Sequence, residues 1–405
     1  MLSFRYTARD PATGQYVKAA VQAENEAAAS KLIRKEGLVP IDITLSEKST
    51  TGPLSRFTNR VKIKDKVLFS RQLSTLINAG LPLVQSLRSV NQQTTSKPFK
   101  VVTNKVISDV EAGATLSTAM AKHPAVFNQI YTSLIAAGEA SGTLDKALER
   151  LAIQQEKDAD LISKVRGAMV YPVIVLLVML GVVGFMIITV LPQVEILYEG
   201  LPGAQLPLIT RVLLAISSFI INFWWVVLIM LALMVFFGTR WARTFGGKRV
   251  IDRLKMKAWP IGPLFSKMYM ARFARTGGTL VASGVPLIQM LEITANSVNN
   301  VHVEASIKKA SEKVKGGKAL SDSLQNDPNF LDLVPNMLRI GEQSGSLEQM
   351  LAKTADYYEK EVDDQVKSIS TIIEPVLMVI LGVVAFIIVA AVLLPIYGLA
   401  GQSFV

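Results

Sequence analysis

The sequence predicts a mostly helical, polytopic membrane protein with three transmembrane helices, two homologous antiparallel helical bundles on one side of the bilayer, and a small N-terminal α+β domain. Three observations carry this. Uncharged, mostly apolar runs occupy Val170–Val190 and Ile372–Tyr397, and a longer run, Leu206–Phe237, is interrupted by Arg211 and a few polar residues. About 20 apolar residues suffice to cross the hydrocarbon. Long blocks of the chain recur at a fixed offset, and the first 50 residues differ in pattern from all that follows. Half of the 405 residues are apolar, and the mean hydropathy of +0.36 suits membrane segments set among soluble domains.

Residues 1–50 come first. FRYTARDPATGQYVKAAVQA reads as two strands around a turn at Pro11–Gly14, Asn25–Glu36 as a short alanine-rich helix ended by Gly37, and Val39–Leu45 as a third strand. The N-terminus lacks the apolar core of a signal peptide, so it is expected to stay in the cytoplasm. Ser46–Arg60, rich in Ser, Thr, Gly and Pro, has the composition of a linker, placed at 51–62.

The first bundle is expected over 63–169 and the second over 239–370, because the chain is written twice. FSRQLSTLINAGLPLVQSL at 69–87 recurs as FARTGGTLVASGVPLIQML at 273–291, with nine identities in 19 positions, among them Phe69/Phe273, Arg71/Arg275, Gly80/Gly284 and Pro82/Pro286. GEASGTLDKAL at 138 recurs as GEQSGSLEQML at 341, and Gly113 and Leu116 match Gly317 and Leu320. Leu144, Ala147, Leu148, Leu151 and Ala152 fall on one face of a helix, as do Leu347, Met350, Leu351, Thr354 and Ala355. Gly80 and Gly284 suit the end of one helix, Pro82 and Pro286 the first turn of the next.

The spans follow at 170–192, 210–238 and 371–397. Pro172 and Pro192 of the first recur as Pro375 and Pro395 of the third, whereas the second has no partner and returns the chain to the starting side. Trp224 and Trp225 precede Trp241 by 16 residues counted from Trp225, a rise of about 24 Å, near the hydrocarbon thickness. They read either as belts at opposite interfaces, with Leu206–Asn222 an outer lead-in, or as packing on neighbouring helices.

Charge sets the orientation. Leu191–Thr210 holds Glu195 and Glu199 and no Lys or Arg, whereas 238–275 holds ten Lys/Arg against Asp252. Positive loops stay inside, so both bundles are expected in the cytoplasm, with the loop at 193–209 and the tail at 398–405 outside. The net charge of +11 is spread out, as 15 Lys/Arg against 9 Asp/Glu over 60–169 and 19 against 14 over 238–370. That distribution serves topology and lipid contact, and no aromatic-interleaved groove for nucleic acid is present.

Catalytic motifs are absent. Gly246-Gly247-Lys248 and Gly316-Gly317-Lys318 lack the earlier glycine of a phosphate loop, and neither G-x-G-x-x-G nor G-x-S-x-G occurs. With no cysteine and only His123 and His302, neither a zinc nor an iron centre nor any cofactor is expected. The GE-x-SG stretches are the strongest candidates for function. Gly138 and Gly341 permit close helix approach, Gly142 and Gly345 end a helix in the left-handed conformation, and Thr143 and Ser346 cap the next helix, the latter in a capping box with Gln349. The carboxylates of Glu139 and Glu342 then stand as the residues architecture does not require. Glu139 reads as a partner contact or, less well, as a cation ligand, since calcium wants six to eight oxygens. Glu374 sits beside Pro375 at the mouth of the third span, where Tyr171 stands in the first. A transporter or membrane enzyme built on Glu139, Glu342 and Glu374 is the alternative of a different class, but the interiors of the first and third spans offer no relay partners.

These residues resemble the polytopic inner-membrane platform proteins of type IV pilus assembly and type II secretion, the PilC/GspF family, over essentially the whole chain. F-x-R-x-L-x-x-L-x-x-A-G-x-P at 69–82 with its degenerate copy at 273–286, the doubled GE-x-SG-x-L, Tyr171-Pro172 with Leu191-Pro192, and Glu374-Pro375 with Leu394-Pro395 carry the likeness. F-x-Y-x-A-x-D-x-x-x-G near the N-terminus is similar to the pilus branch. Gly277-Gly278 in place of Leu73-Ser74, and Ala19-Ala20 where a glycine is expected, depart from it. The resemblance implies a non-enzymatic scaffold in a bacterial inner membrane that forms a dimer or tetramer. It would contact a hexameric cytoplasmic ATPase, pilins and other inner-membrane assembly proteins, with the outer segments periplasmic. The surfaces around Arg71 and Arg275 are expected either to meet the ATPase or to pair with acids inside their own bundles.

Overall fold

The computed structural model describes residues 2–9, 11, 16–23, 26–35, 37–45, 61–190, 192–193, 196, 208–259 and 261–400. The linker up to residue 60, the Pro11–Gly14 turn beyond Pro11, and most of the loop expected at 193–209, with Glu195 and Glu199, lie outside them. The chain divides into two units, Met1–Val61 and Lys62–Val405, each taken by itself.

The first unit is a three-stranded antiparallel sheet with one helix. β1 (Leu2–Arg9) lies between β2 (Tyr16–Ala23) and β3 (Val39–Leu45), and α1 (Glu26–Lys35) packs on β2 and β3. Tyr6, Ala8 and Ile33 form its core with Val21 and Leu38. Gly37 ends α1 at φ +79°, letting Leu38 N reach Ile33 O at 3.2 Å, a conformation glycine adopts without strain. Ala19 and Ala20 pair in regular register with Tyr6 and Arg5, so the strand has no need of the glycine expected there.

The second unit holds the duplication. The first copy comprises α2 (Ile63–Asn78), α3 (Leu83–Gln93), α4 (Lys97–Glu111), α5 (Leu116–Ala121), α6 (Gln129–Ser141) and α7 (Leu144–Phe185). Between the copies run α8 (Leu208–Asn222), α9 (Trp224–Ala242) and α10 (Phe245–Lys257). The second copy repeats six helices: α11 (Gly262–Ala282), α12 (Leu287–Ser297), α13 (Val301–Lys315), α14 (Leu320–Leu324), α15 (Leu333–Ser344) and α16 (Leu347–Ala400). The helix joints repeat as well. Gly80, Gly113 and Gly142 take positive φ, as do Gly284, Gly317 and Gly345.

Each bundle closes on a phenylalanine of α2 or α11. Phe69 is 2% exposed and meets Phe99 edge-on at 5.2 Å, with Phe127 and Tyr131 completing the cluster. In the second copy Phe273 meets Phe330 at 5.1 Å, while Val303 and Val334 stand where the first has Phe99 and Tyr131. The buried Ser70 hydroxyl bonds Tyr131 Oη at 3.0 Å; its counterpart is Ala274, opposite Val334. The polar pair has thus been exchanged for an apolar pair as a unit, leaving no stranded hydroxyl. Gly277 and Gly278 explain their own departure from the first copy. A Cβ at Gly278 would lie 3.2 Å from Leu351 Cβ, and one at Gly277 3.3 Å from Met290 Sδ, so Gly278 lets α11 approach α16 closely and Gly277 leaves room for Met290 of α12.

Both long helices run without a break from bundle to apolar segment. α7 continues through Pro172 into a π-turn at Met186–Val190, and α16 continues through Pro375 to Ala400. At about 1.5 Å per residue these are roughly 60 and 80 Å long. Three helical segments are long and apolar enough to cross a membrane, within Leu144–Val190, Trp224–Ala242 and Leu347–Leu393. The single helix expected over 210–238 is two, because the chain turns at Phe223 (φ −117°, ψ 28°). Trp224 and Trp225 open the second of them and Trp241 lies near its end, all more than half exposed. α8 packs against both other spans: Thr210 Oγ1 donates to Ala391 O at 3.0 Å and Ser217 Oγ to Ile187 O at 2.6 Å. The second of these satisfies a carbonyl in the π-turn, where the α-helical ladder is interrupted.

Candidate functional site

The GE-x-SG joint links α6 to α7 and α15 to α16. Gly142 and Gly345 adopt φ +68° and +67°, so Thr143 N bonds back to Gly138 O and Ser346 N to Gly341 O, each at 2.9 Å. That is the six-to-one bond of a left-handed helix ending. Gly138 and Gly341 lie at the crossing. A Cβ on Gly138 would stand 2.4 Å from Ala147 Cβ, and one on Gly341 2.9 Å from Leu347 Cα. The close approach expected of these two glycines is therefore literal.

The capping expectation is corrected. Thr143 makes no side-chain cap, and its hydroxyl instead meets Ser141 Oγ at 2.7 Å. The recorded partner of the Ser346 hydroxyl is likewise Ser344 Oγ, at 2.6 Å.

The glutamate is also corrected: architecture uses it. Glu139 reaches from α6 to the first turn of α5. Leu116 N donates to its Oε1 at 2.5 Å, and Ser117 N and Ser117 Oγ to Oε2 at 3.2 and 2.5 Å. Glu342 does the same to Leu320 N, Ser321 N and Ser321 Oγ at 2.6, 3.2 and 2.5 Å. Each carboxylate satisfies two of the four N–H groups that a helix start leaves orphaned, and places negative charge at the positive end of the helix dipole. Sequence reasoning missed this because the partners stand 21 to 23 residues upstream. The available signal was that Leu116-Ser117 and Leu320-Ser321 are duplicated together with the glutamates.

Arg71 and Arg275 are held by acids of their own bundles. Arg71 forks onto Glu156 of α7 through Nε at 2.6 Å and Nη2 at 2.5 Å. These bonds hold the Glu156 carboxyl below its ordinary range and the guanidinium above its own. Arg275, 15% exposed, bonds Glu359 of α16 at 2.7 Å and also Asp356. Glu374, by contrast, is exposed on α16, with no hydrogen bond or ionic partner among the described residues.

The two copies touch through a polar seam that the sequence did not reveal. Gln154 of α7 is fully buried against α11, its Nε2 3.4 Å from Thr276 Oγ1 and its Oε1 accepting from Thr279 Oγ1 at 3.2 Å. Arg150 donates to Ala282 O, and Asp158 lies 3.9 Å from Arg272. Further along, Lys157 pairs with Glu359 at 3.0 Å and Lys164 with Asp363 at 2.8 Å. Glu359 thus joins Arg275 of its own copy to Lys157 of the other. His302 has a structural place, its Nε2 3.0 Å from Arg249 O of α10.

Comparison with known proteins matches this architecture piece by piece. The type II secretion system protein F family matches residues 69–192 and again 273–395, and the N-terminal domain of that protein matches residues 1–44. A type IV pilus assembly protein PilC of Thermus thermophilus is 39% identical over 98% of both chains. One from Myxococcus xanthus is 35% identical over 96% of this chain and 93% of its own. A type II secretion system protein F of Pseudomonas aeruginosa is 32% identical over 98% of this chain and 99% of its own.

Proposed function

The chain belongs to the type II secretion system protein F family, shared by pilus assembly and secretion machines, and from that premise we propose that it is the inner-membrane platform of a type IV pilus. In this reading it oligomerises and passes the motion of a hexameric cytoplasmic ATPase to pilins leaving the bilayer. One observation supports the coupling most: in both copies the last bundle helix is the membrane helix, unbroken over 42 and 54 residues. An unbroken helix whose bundle half is packed carries its apolar half with it, so displacement of a bundle moves its span. Greater identity to the pilus proteins than to the secretion protein favours the pilus over secretion. The absence of a phosphate-cradling motif favours a scaffold driven by a separate motor over an enzyme.

The structure favours the internal role for Arg71 and Arg275. Both guanidiniums are engaged by carboxylates of their own bundle, so motor contact belongs on other bundle surfaces. We place the N-terminus and both bundles in the cytoplasm and the C-terminus in the periplasm, on the charge asymmetry of the loops.

Two measurements test this reading. The natural chain has no cysteine, so single cysteines at Ile196 and Lys353 report topology through an impermeant thiol reagent. Labelling of the first and protection of the second in intact cells is expected, and the reverse overturns the orientation. Co-purification with candidate motors should recover an assembly ATPase, and a platform that binds none while pili form normally would refute the coupling.

A further inference from the structure

Helix α10 turns a cationic, partly apolar face to solvent beside the end of a span. We infer that this face binds the anionic phospholipid headgroups of the membrane that α9 crosses.

The place of α10 is fixed on its inner side. Only Arg243 and Thr244 separate it from α9. Thr244 caps it, its Oγ1 accepting from Gly247 N at 3.2 Å. A Cβ on Gly247 would fall on the Trp241 carbonyl, so α10 packs tightly against the last turn of α9. Asp252, the one acid of the helix, is 2% exposed and accepts from Val301 N of α13 at 3.1 Å. The same inner contact includes His302, whose ring meets the Arg249 carbonyl.

The outer side carries the opposite charge. Arg249, Arg253 and Lys257 follow at four-residue spacing, which advances about 40° per step and makes one stripe along the helix. All three are exposed, with no ionic partner among the described residues, and the Arg249 guanidinium lies 4.8 Å from the centre of the Phe245 ring. Phe245 borders the stripe on one side and Val250 and Leu254 on the other, each more than half exposed. Trp259, two residues past the helix, is 79% exposed.

Connectivity, charge and composition together select an anionic lipid surface as the occupant. Connectivity puts α10 at the boundary where α9 leaves the hydrocarbon. Residues 240–257 hold seven Lys/Arg against one acid, and a guanidinium grips a phosphodiester through two parallel donors. An apolar protein partner would instead strand those charges. Exposed Val, Leu and Trp are costly in water and are covered where a basic helix sinks its apolar edge to the boundary between headgroups and acyl chains. Orienting the span needs only that cations lie on one side of it; it requires neither the stripe nor the apolar border. Nor does the duplication call for α10, which lies outside both repeated segments, 69–192 and 273–395.

The inference rests on α9 being a span and not on motor coupling, so either can fail alone. The natural chain has no cysteine, so Leu254→Cys in the full chain takes one environment-sensitive fluorophore. The labelled chain is reconstituted in lipid discs holding a nitroxide near the top of the acyl chain of either phosphatidylglycerol or phosphatidylcholine, at equal mole fraction. Quenching is expected from both lipids and more from phosphatidylglycerol, by about fivefold in relative affinity for each cation at the surface. High salt should remove the difference. Lys353→Cys, roughly 28 Å along α16 before its apolar run, should stay unquenched. Val250→Cys is an independent reporter with the same expected order, should the first variant fail to fold. Arg249→Gln with Arg253→Gln and Lys257→Gln keeps the helix and leaves four cations to orient the span, and should lower the preference at least fivefold. Absence of quenching at both labels would leave the face to an acidic protein surface and overturn the proposal. Equal quenching by the two lipids, or a preference that survives the triple substitution, overturns it as well.

Discussion

Replacing Glu139 by alanine should destabilise the first bundle. The substitution removes a carboxylate that accepts from Leu116 N, Ser117 N and Ser117 Oγ. Hydrogen bonds to a charged group contribute about 1.5–3 kcal/mol, and lost helix caps cost about 0.5–2 kcal/mol. The site is half-buried, so water replaces part of what is lost and the lower end applies, about 2 kcal/mol. If the bundle melts as a unit of about 100 residues, Tm falls by about 10 °C. Glu139→Gln keeps one acceptor oxygen and loses the charge, so about half that shift is expected. Glu342→Ala should cost more than Glu139→Ala. Thr115 Oγ1 also accepts from Thr118 N at 3.3 Å in the first copy, whereas Ala319, at the same place in the second, has no side chain to do so. The assay is thermal unfolding of the purified full chain in detergent, beside a count of surface pili. A Glu139→Ala chain that melts within about 1 °C of the parent yet assembles no pili would refute the capping argument and return the glutamate to a partner or a cation.

Three further outcomes follow from the same geometry. Gly138→Ala forces its methyl against Ala147 and should cost about 1–3 kcal/mol as overpacking, whereas Gly142→Ala meets no atom and should cost about 1–2 kcal/mol from its left-handed backbone alone; denaturant midpoints separate the two. Arg275→Ala strips one partner from a carboxylate only 12% exposed, leaving it with Lys157, and should cost more than Arg71→Ala, whose pair is about 40% exposed and contributes about 1 kcal/mol or less. That smaller difference depends on pH: Arg71 depresses the Glu156 carboxyl in the folded state, so its contribution is full above the unfolded carboxylate range near about 4.3 and is lost as pH falls through the folded value. The gap in Tm between the parent and Arg71→Ala should therefore hold at neutral pH and narrow on acidification.

What could be read from the sequence was what local chemistry settles. Run length and the want of charge gave the spans, alternation in the first 50 residues gave the sheet, and positive-φ glycines at repeated spacing gave the joints between helices. The duplication placed Gly138 and Gly341 at equivalent crossings, and the crossings are there. The reading of Thr143 as a cap failed because a hydroxyl beside a left-handed ending has a nearer partner in Ser141. The break at Phe223, made without glycine or proline, was absent from the span drawn at 210–238 and legible only in the tryptophan spacing that set Leu206–Asn222 apart as a lead-in.

Tertiary structure alone decided the rest. Whether Glu139 is idle or a cap depends on where the start of α5 lies in space, and no periodicity carries that across 22 residues. Which face of a duplicated helix is buried depends on the neighbour that covers it. α2 and α11 share their pattern and their core phenylalanine, yet only α11 is enclosed, because the contact between the copies is head-to-tail and so uses each face once.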